Sequence, residues 1–151
     1  MRSDSVAMKQ GVLDQMRCYE ANFERLVWLI PALQDMEGSA RSLGIDAMEL
    51  RLEILERGKY TATIALTHHF HRPGSLVSDP YMRIRLYTDA RVAEVLSYQG
   101  HARPQLFQPY PILNMANLRE KHRINRFLGE WLDYCIARGH RFADTSRCAK
   151  A

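Results

Sequence analysis

The sequence predicts an α+β domain: a four-stranded antiparallel meander sheet with an N-terminal and a C-terminal helix packed on one face. Three observations carry that prediction. Apolar residues recur at spacings of three and four near both ends of the chain. Through the middle they alternate with polar residues, and turn-forming residues separate the two patterns.

The first helical stripe reads Val12, Met16, Tyr19, Phe23, Leu26, Val27, Ile30. Those intervals put every member on one side of a helix. Pro31 cannot continue the hydrogen-bond ladder, so the helix is expected to end near Ile30. From Asp35 to Gly44 there are two glycines and little periodicity, which reads as a connection.

The period then drops to two. Met48, Leu50, Leu52 and Ile54 alternate with Glu49, Arg51 and Glu53, and Tyr60, Ala62, Ile64 and Leu66 alternate with Thr61, Thr63 and Thr67. A two-residue loop at Arg57-Gly58 would mix the faces. A three-residue loop instead sets Ile54 opposite Tyr60, Leu52 opposite Ala62 and Leu50 opposite Ile64, all on one side. In the second hairpin, a two-residue loop at Asp89-Ala90 pairs Leu86 with Ala93 and Ile84 with Val95. It also pairs Arg85 with Glu94 and Tyr81 with Tyr98, favourable cross-strand combinations that support the register.

Between Gln99 and Asn117, three prolines accompany Leu106, Phe107, Tyr110, Ile112 and Leu113, so an ordered, packed loop is expected. The closing helix carries the stripe Ile124, Phe127, Leu128, Trp131, Leu132, Cys135. Asn117 and Glu120 form its expected capping box, and Gly139 its stop. One domain is expected, ordered over residues 12–140, with a basic tail over 141–151.

Bulk properties narrow the function classes. The 151 residues are 46% hydrophobic and 25% charged, enough for a core, with a formal net charge of +4. Residues 101–151 hold nine basic and four acidic side chains, so the excess sits in the last third. That density is below what nucleic-acid affinity requires, and nucleic acid is not the expected partner; weak binding through the basic third is the second alternative. No apolar run is long enough to span a bilayer, and Met1 to Val6 lacks a secretory pattern. Cys18, Cys135 and Cys148 match no zinc or redox spacing and read as reduced thiols, so a cytoplasmic protein is expected.

Alternation turns Glu49, Arg51, Glu53, Thr61, Thr63, Tyr81, Arg83, Arg85, Tyr87, Glu94 and Tyr98 away from the helices. Such a face is either simply solvated or a binding platform, since Arg and Tyr suit anionic ligands and partner surfaces. The candidate binding set is Arg83, Arg85, Tyr87, Asp89, Glu94, Tyr110, Glu120, Lys121, His122 and Asn125. Glu120 and Lys121 flank the buried stripe of the last helix, and Lys121 can snorkel past the sheet edge. His122 falls on the opposite side with Arg126 and Asp133. In His68-His69-Phe70-His71, His68 lies on the apolar parity, which suits a hydrogen-bonded core residue. His69 and His71 share a face but lack further ligands, so neither metal nor cofactor is expected. No G-x-S-x-G, phosphate-cradling loop, H-E-x-x-H or C-x-x-C occurs, and no catalytic residue is assigned.

Three ordered blocks stand out along the chain. They are Cys18 with Asn22-Phe23, Leu26 and Pro31; Arg83 to Ala90 running into Val92 to Val95; and Glu120-Lys121-His122 with Ile124-Asn125, Phe127-Leu128, Trp131-Leu132 and Tyr134-Cys135. Together they resemble the YqiB-like family of uncharacterised proteobacterial proteins, a domain of unknown function, over Cys18 to Gly139. The resemblance implies a bacterial cytoplasmic protein with no assigned activity. The leading expectation is a non-catalytic module binding a protein partner or small anionic ligand. The alternative is an enzyme or sensor acting on a phosphorylated small molecule or nucleotide, with Asp89, Glu94, Glu120, Lys121 and His122 around one pocket.

Overall fold

A computed structural model describes residues 2–45, 48–69, 80–99 and 115–143. Helix α1 (Arg2–Leu29) is followed by a 3-10 turn (Leu33–Asp35) and five strands: β1 (Ser39–Leu43), β2 (Glu49–Arg57), β3 (Thr61–His69), β4 (Tyr81–Tyr87) and β5 (Val92–Gln99). Helix α2 (Met115–Ala137) closes the order. The strands form one antiparallel sheet in the order β1-β2-β3-β4-β5. Among the described residues the expected meander is present, with five strands in place of four.

The additional strand, β1, lies in the stretch read as a connection. Its five residues are too few to display a period clearly, yet Ala40 and Ser42 are buried between exposed Arg41 and Leu43. Parity holds across the rest of the sheet. Leu50, Leu52, Ile64, Leu66, Met82, Ile84, Leu86, Ala93 and Val95 join one core with Leu26, Leu29, Ile30, Leu128 and Leu132. Burying a Leu or Ile this completely contributes about 1.5–3 kcal/mol each.

Two registers differ from expectation. In the first hairpin Ile54 faces Ile64, Leu52 faces Leu66 and Leu50 faces His68, with Leu55 bulged out beside them. The slip is an even number of residues, so the side chains from Glu49 to Ile54 and from Thr61 to His69 keep their faces. Tyr60 sits exposed in the turn. The bulge brings the Arg57 guanidinium onto the carbonyl oxygens of Leu33, Gln34 and Met36, satisfying the end of the 3-10 turn.

In the second hairpin, Leu86–Ala93, Arg85–Glu94 and Ile84–Val95 pair as expected, but a bulge at Leu96 shifts the remainder of β5. Met82 therefore faces Tyr98, and Tyr81 faces Gln99, so the expected tyrosine pair does not form. Tyr98 turns inward and meets Phe127 edge-on, with ring centroids 5.5 Å apart.

The helices also differ in detail. At 28 residues α1 is about 42 Å long, and among its described side chains the buried ones fall in the last eight residues. The buried members are Asn22, Phe23, Leu26, Leu29 and Ile30, whereas Val12, Met16 and Val27 are exposed. Helix α2 starts at Met115, so Asn117 lies inside it and is not its N-cap. Its other end is as expected. Gly139 has φ +82°, with Gly139 N–H donating to Ile136 O and His140 N–H to Cys135 O, a complete Schellman closure. The chain beyond does not fray at residue 141: Phe142 is buried and its N–H donates to Leu29 O at 2.7 Å.

Candidate functional site

The register sorts the outward side chains into rows across the strands. One row holds Ser39, Glu53, Ala65, Arg83 and Ser97; the next holds Glu56, Thr63, Arg85 and Glu94. On the other flank lie Arg41, Arg51, Thr67 and Tyr81. Ala65 is a short residue among long ones. A cavity of about 410 Å³ opens there, bounded by Arg41, Arg51, Glu53, Ala65 and Thr67.

The carboxylates on this face are already engaged at two points. Glu49 is buried, with Arg41 Nε 3.2 Å and Arg51 Nε 3.5 Å from its Oε1. Glu94 accepts from the Tyr87 hydroxyl at 2.7 Å and lies 2.9 Å from Lys121 Nζ. Lys121 thus reaches past the β5 edge from α2 as expected. Burial pushes the Glu94 carboxyl up, but the hydrogen bonds from Lys121 and Tyr87, with the charges of Lys121 and Arg85, outweigh it and hold the group below the usual carboxylate range. For Lys121, burial pulls downward, and the Glu94 contacts prevail and raise it. Burial, then the bond to Glu94, raises the Tyr87 phenol.

Arg85 faces Glu94 in register, yet its guanidinium turns toward β3. Its Nε donates to Thr63 Oγ1 at 3.2 Å, and Nη2 lies 4.0 Å from the exposed Glu56 carboxylate. Arg83 is half-buried, and its Nε has no hydrogen-bond partner among the described residues. The same is true of the hydroxyl of its cross-strand neighbour Ser97.

The remaining candidates go elsewhere. Asp89 is exposed in the β4–β5 turn and accepts from the Ala90 N–H. Glu120 is exposed and pairs with Arg123 at 3.7 Å. His122 lines a different cavity of about 570 Å³ between the helices, with Cys18, Arg25, Arg126 and Asp133. Tyr110 and His71 lie outside the described residues. Asn125 is fully buried: its Oδ1 accepts from Val95 N–H at 2.9 Å and its Nδ2 donates to Lys121 O at 2.8 Å. It ties the outer edge of β5 to α2. His68 is buried on the core face and accepts from Trp131 Nε1 at 3.4 Å. Among the described residues no group of three or more His, Cys, Asp or Glu is placed to hold a metal, and no helix is long and apolar enough to cross a membrane.

Sequence reasoning missed Ser97 and Ala65. The signal for Ser97 was the adjacent apolar pair Val95-Leu96, which breaks strict alternation where the bulge falls.

The chain belongs to a family described as a protein of unknown function (DUF1249), whose model matches residues 25–141 and so spans the sheet and the packed part of α2. One relative is the uncharacterized protein YqiB of Escherichia coli strain K12, 39% identical over 127 residues that cover 83% of this chain and 89% of the relative. The proteins of the same name from Escherichia coli O157:H7 and O6:H1 match with the same identity and coverage. No solved structure matches.

Proposed function

We propose that the domain is a cytoplasmic, non-catalytic binding module. Its outward sheet face, around Tyr81, Arg83, Arg85 and Tyr87, takes a negatively charged group carried by a small ligand or a partner protein. One observation carries this reading: the direct contacts of Glu94 are with Lys121 and Tyr87, so Arg85, whose charge still acts on that carboxylate, has no direct ion pair with the residue across from it. Its only ion pair among the described residues is the 4.0 Å contact with exposed Glu56, worth little in solvent. A guanidinium so placed on a rigid strand suits bidentate recognition of an anion. Asp89 and Glu120 are engaged with Ala90 and Arg123, and His122 lines the cavity between the helices, which favours binding over acid–base chemistry at the Glu94–Lys121 pair.

The test is Arg85→Glu in natively purified, untagged protein. Native mass spectrometry is expected to show a ligand or partner on the wild type and its loss from the variant, at unchanged circular dichroism. Equal occupancy on both proteins refutes the reading.

A further inference from the structure

The bulge at Leu96 has a local result on the outward face. Without it, strict alternation would carry Ser97 to the core side and leave Tyr98 outside. With it, Ser97 stands directly across from Arg83. Ser97 is 4% exposed, and its Oγ and the Arg83 Nε are both buried without a hydrogen-bond partner among the described residues. Buried polar atoms are almost always bonded, so two unmet donors on register partners mark one place. They are also the right kind of donor. The Nε–H and the adjacent terminal N–H of an arginine form a fork matched to two oxygens of one anion, and a serine hydroxyl adds a third donor. The nearest carboxylate in the row is Glu53, which lies beyond Ala65 at two strand spacings, about 10 Å away.

We propose that Arg83 and Ser97 form an oxyanion subsite, holding a phosphate or carboxylate group between the Arg83 fork and the Ser97 hydroxyl. The inference rests on the binding reading of this face and adds the chemistry of the ligand's anchoring group. Arg83 is half-buried, so part of its side chain reaches solvent while its Nε and the Ser97 Oγ lie beneath the surface. Tyr81, next on the same face of β4, forms the wall on one side, and Arg85 adds positive charge on the other.

The experiment follows the side-chain Nε–H signals of the ¹⁵N-labelled full chain by NMR during separate titrations with inorganic phosphate and acetate. The Arg83 signal is expected to move saturably with at least one of them, and the ion that saturates identifies the group. Ser97→Ala is expected to weaken that binding about tenfold, the loss of one hydrogen bond to a charged acceptor. Arg83→Lys, which keeps charge but not the fork and is followed through the Ser97 backbone amide, should abolish saturation. If the Arg83 signal moves no more than those of exposed Arg91 and Arg123 with either ion, the subsite is refuted on wild-type protein alone. Should Arg83 stay silent while Arg85→Glu still sheds its bound species, this subsite falls and the wider face stands. If Arg85→Glu also keeps that species, both fall.

Discussion

Asn125→Ala isolates what ties the last helix to the sheet. In the wild type the side chain is 0% exposed and makes two bonds: Oδ1 accepts from Val95 N–H at 2.9 Å, and Nδ2 donates to Lys121 O at 2.8 Å. The Asn125 main-chain oxygen also accepts from Asn22 Nδ2 at 2.8 Å, a bond that alanine can keep. Truncation therefore loses two side-chain bonds at about 1 kcal/mol each, and strands the Val95 N–H on a covered strand edge for about 1 kcal/mol more. The expected cost is about 3 kcal/mol, equivalent to about 6–12 °C in Tm for a chain of this size. Urea unfolding followed by far-ultraviolet circular dichroism should show a lower midpoint at unchanged slope, since the same surface is exposed on unfolding. Arg123→Ala, on the exposed side of the same helix, is the control, with an effect below about 0.5 kcal/mol. Should Asn125→Ala match that control, the side chain is not what secures β5 to α2.

Two more outcomes concern the same region. Gly129→Ala gains about 1 kcal/mol of helix propensity, but its Cβ would stand 2.9 Å from Asn22 Oδ1 and 3.0 Å from Arg25 Nη1 where α1 crosses α2. We expect a net loss of about 1–2 kcal/mol in the same urea assay, and a net gain would refute the close approach. Lys121→Met removes the main partner of Glu94, whose folded pKa is lowered, so the stability it supplies is present above its unfolded value of about 4.3 and is lost as pH falls through the folded value. Carboxyl ¹³C titration should place Glu94 below that value in the wild type and higher in Lys121→Met, where burial is opposed mainly by Tyr87 and Arg85; an unmoved titration would sink the assignment.

The sheet was legible because parity is a strong constraint. Leu50, Ile64, Ile84 and Val95 had to share one side, and a register slip by an even number, as at Ile54–Ile64, leaves that sorting intact. What escaped were features that parity does not encode. The two bulges, at Leu55 and Leu96, each fall at the second member of an adjacent apolar pair, Ile54-Leu55 and Val95-Leu96. Such pairs are the visible trace of an inserted residue. Strand β1 escaped because Ser39–Leu43 is short and offers only two inward residues. The rotation of α1 was hidden by a polar residue at its centre: Asn22 occupies a buried position that an apolar-stripe reading assigns to solvent. Of the candidate site, Arg85, Tyr87, Glu94 and Lys121 were brought together as a cluster because strand alternation and helix spacing both speak to them. Asp89, Glu120 and His122 direct their side chains to other contacts.

The same few residues at β5 serve both packing and surface chemistry. Tyr98 closes the core against Phe127 only because Leu96 is bulged, and that bulge is also what places Ser97 beside Arg83. Asn125 holds the β5 backbone one turn along α2 from Lys121, which in turn grips Glu94 and so leaves Arg85 free to face β3. In the proposed site, Arg85 is oriented by the buried Thr63 hydroxyl on the neighbouring strand and not by a solvent-facing loop. That arrangement suits a face that recognises one charged group in a fixed orientation. It suits less a merely solvated surface, whose charge pairs need no buried support.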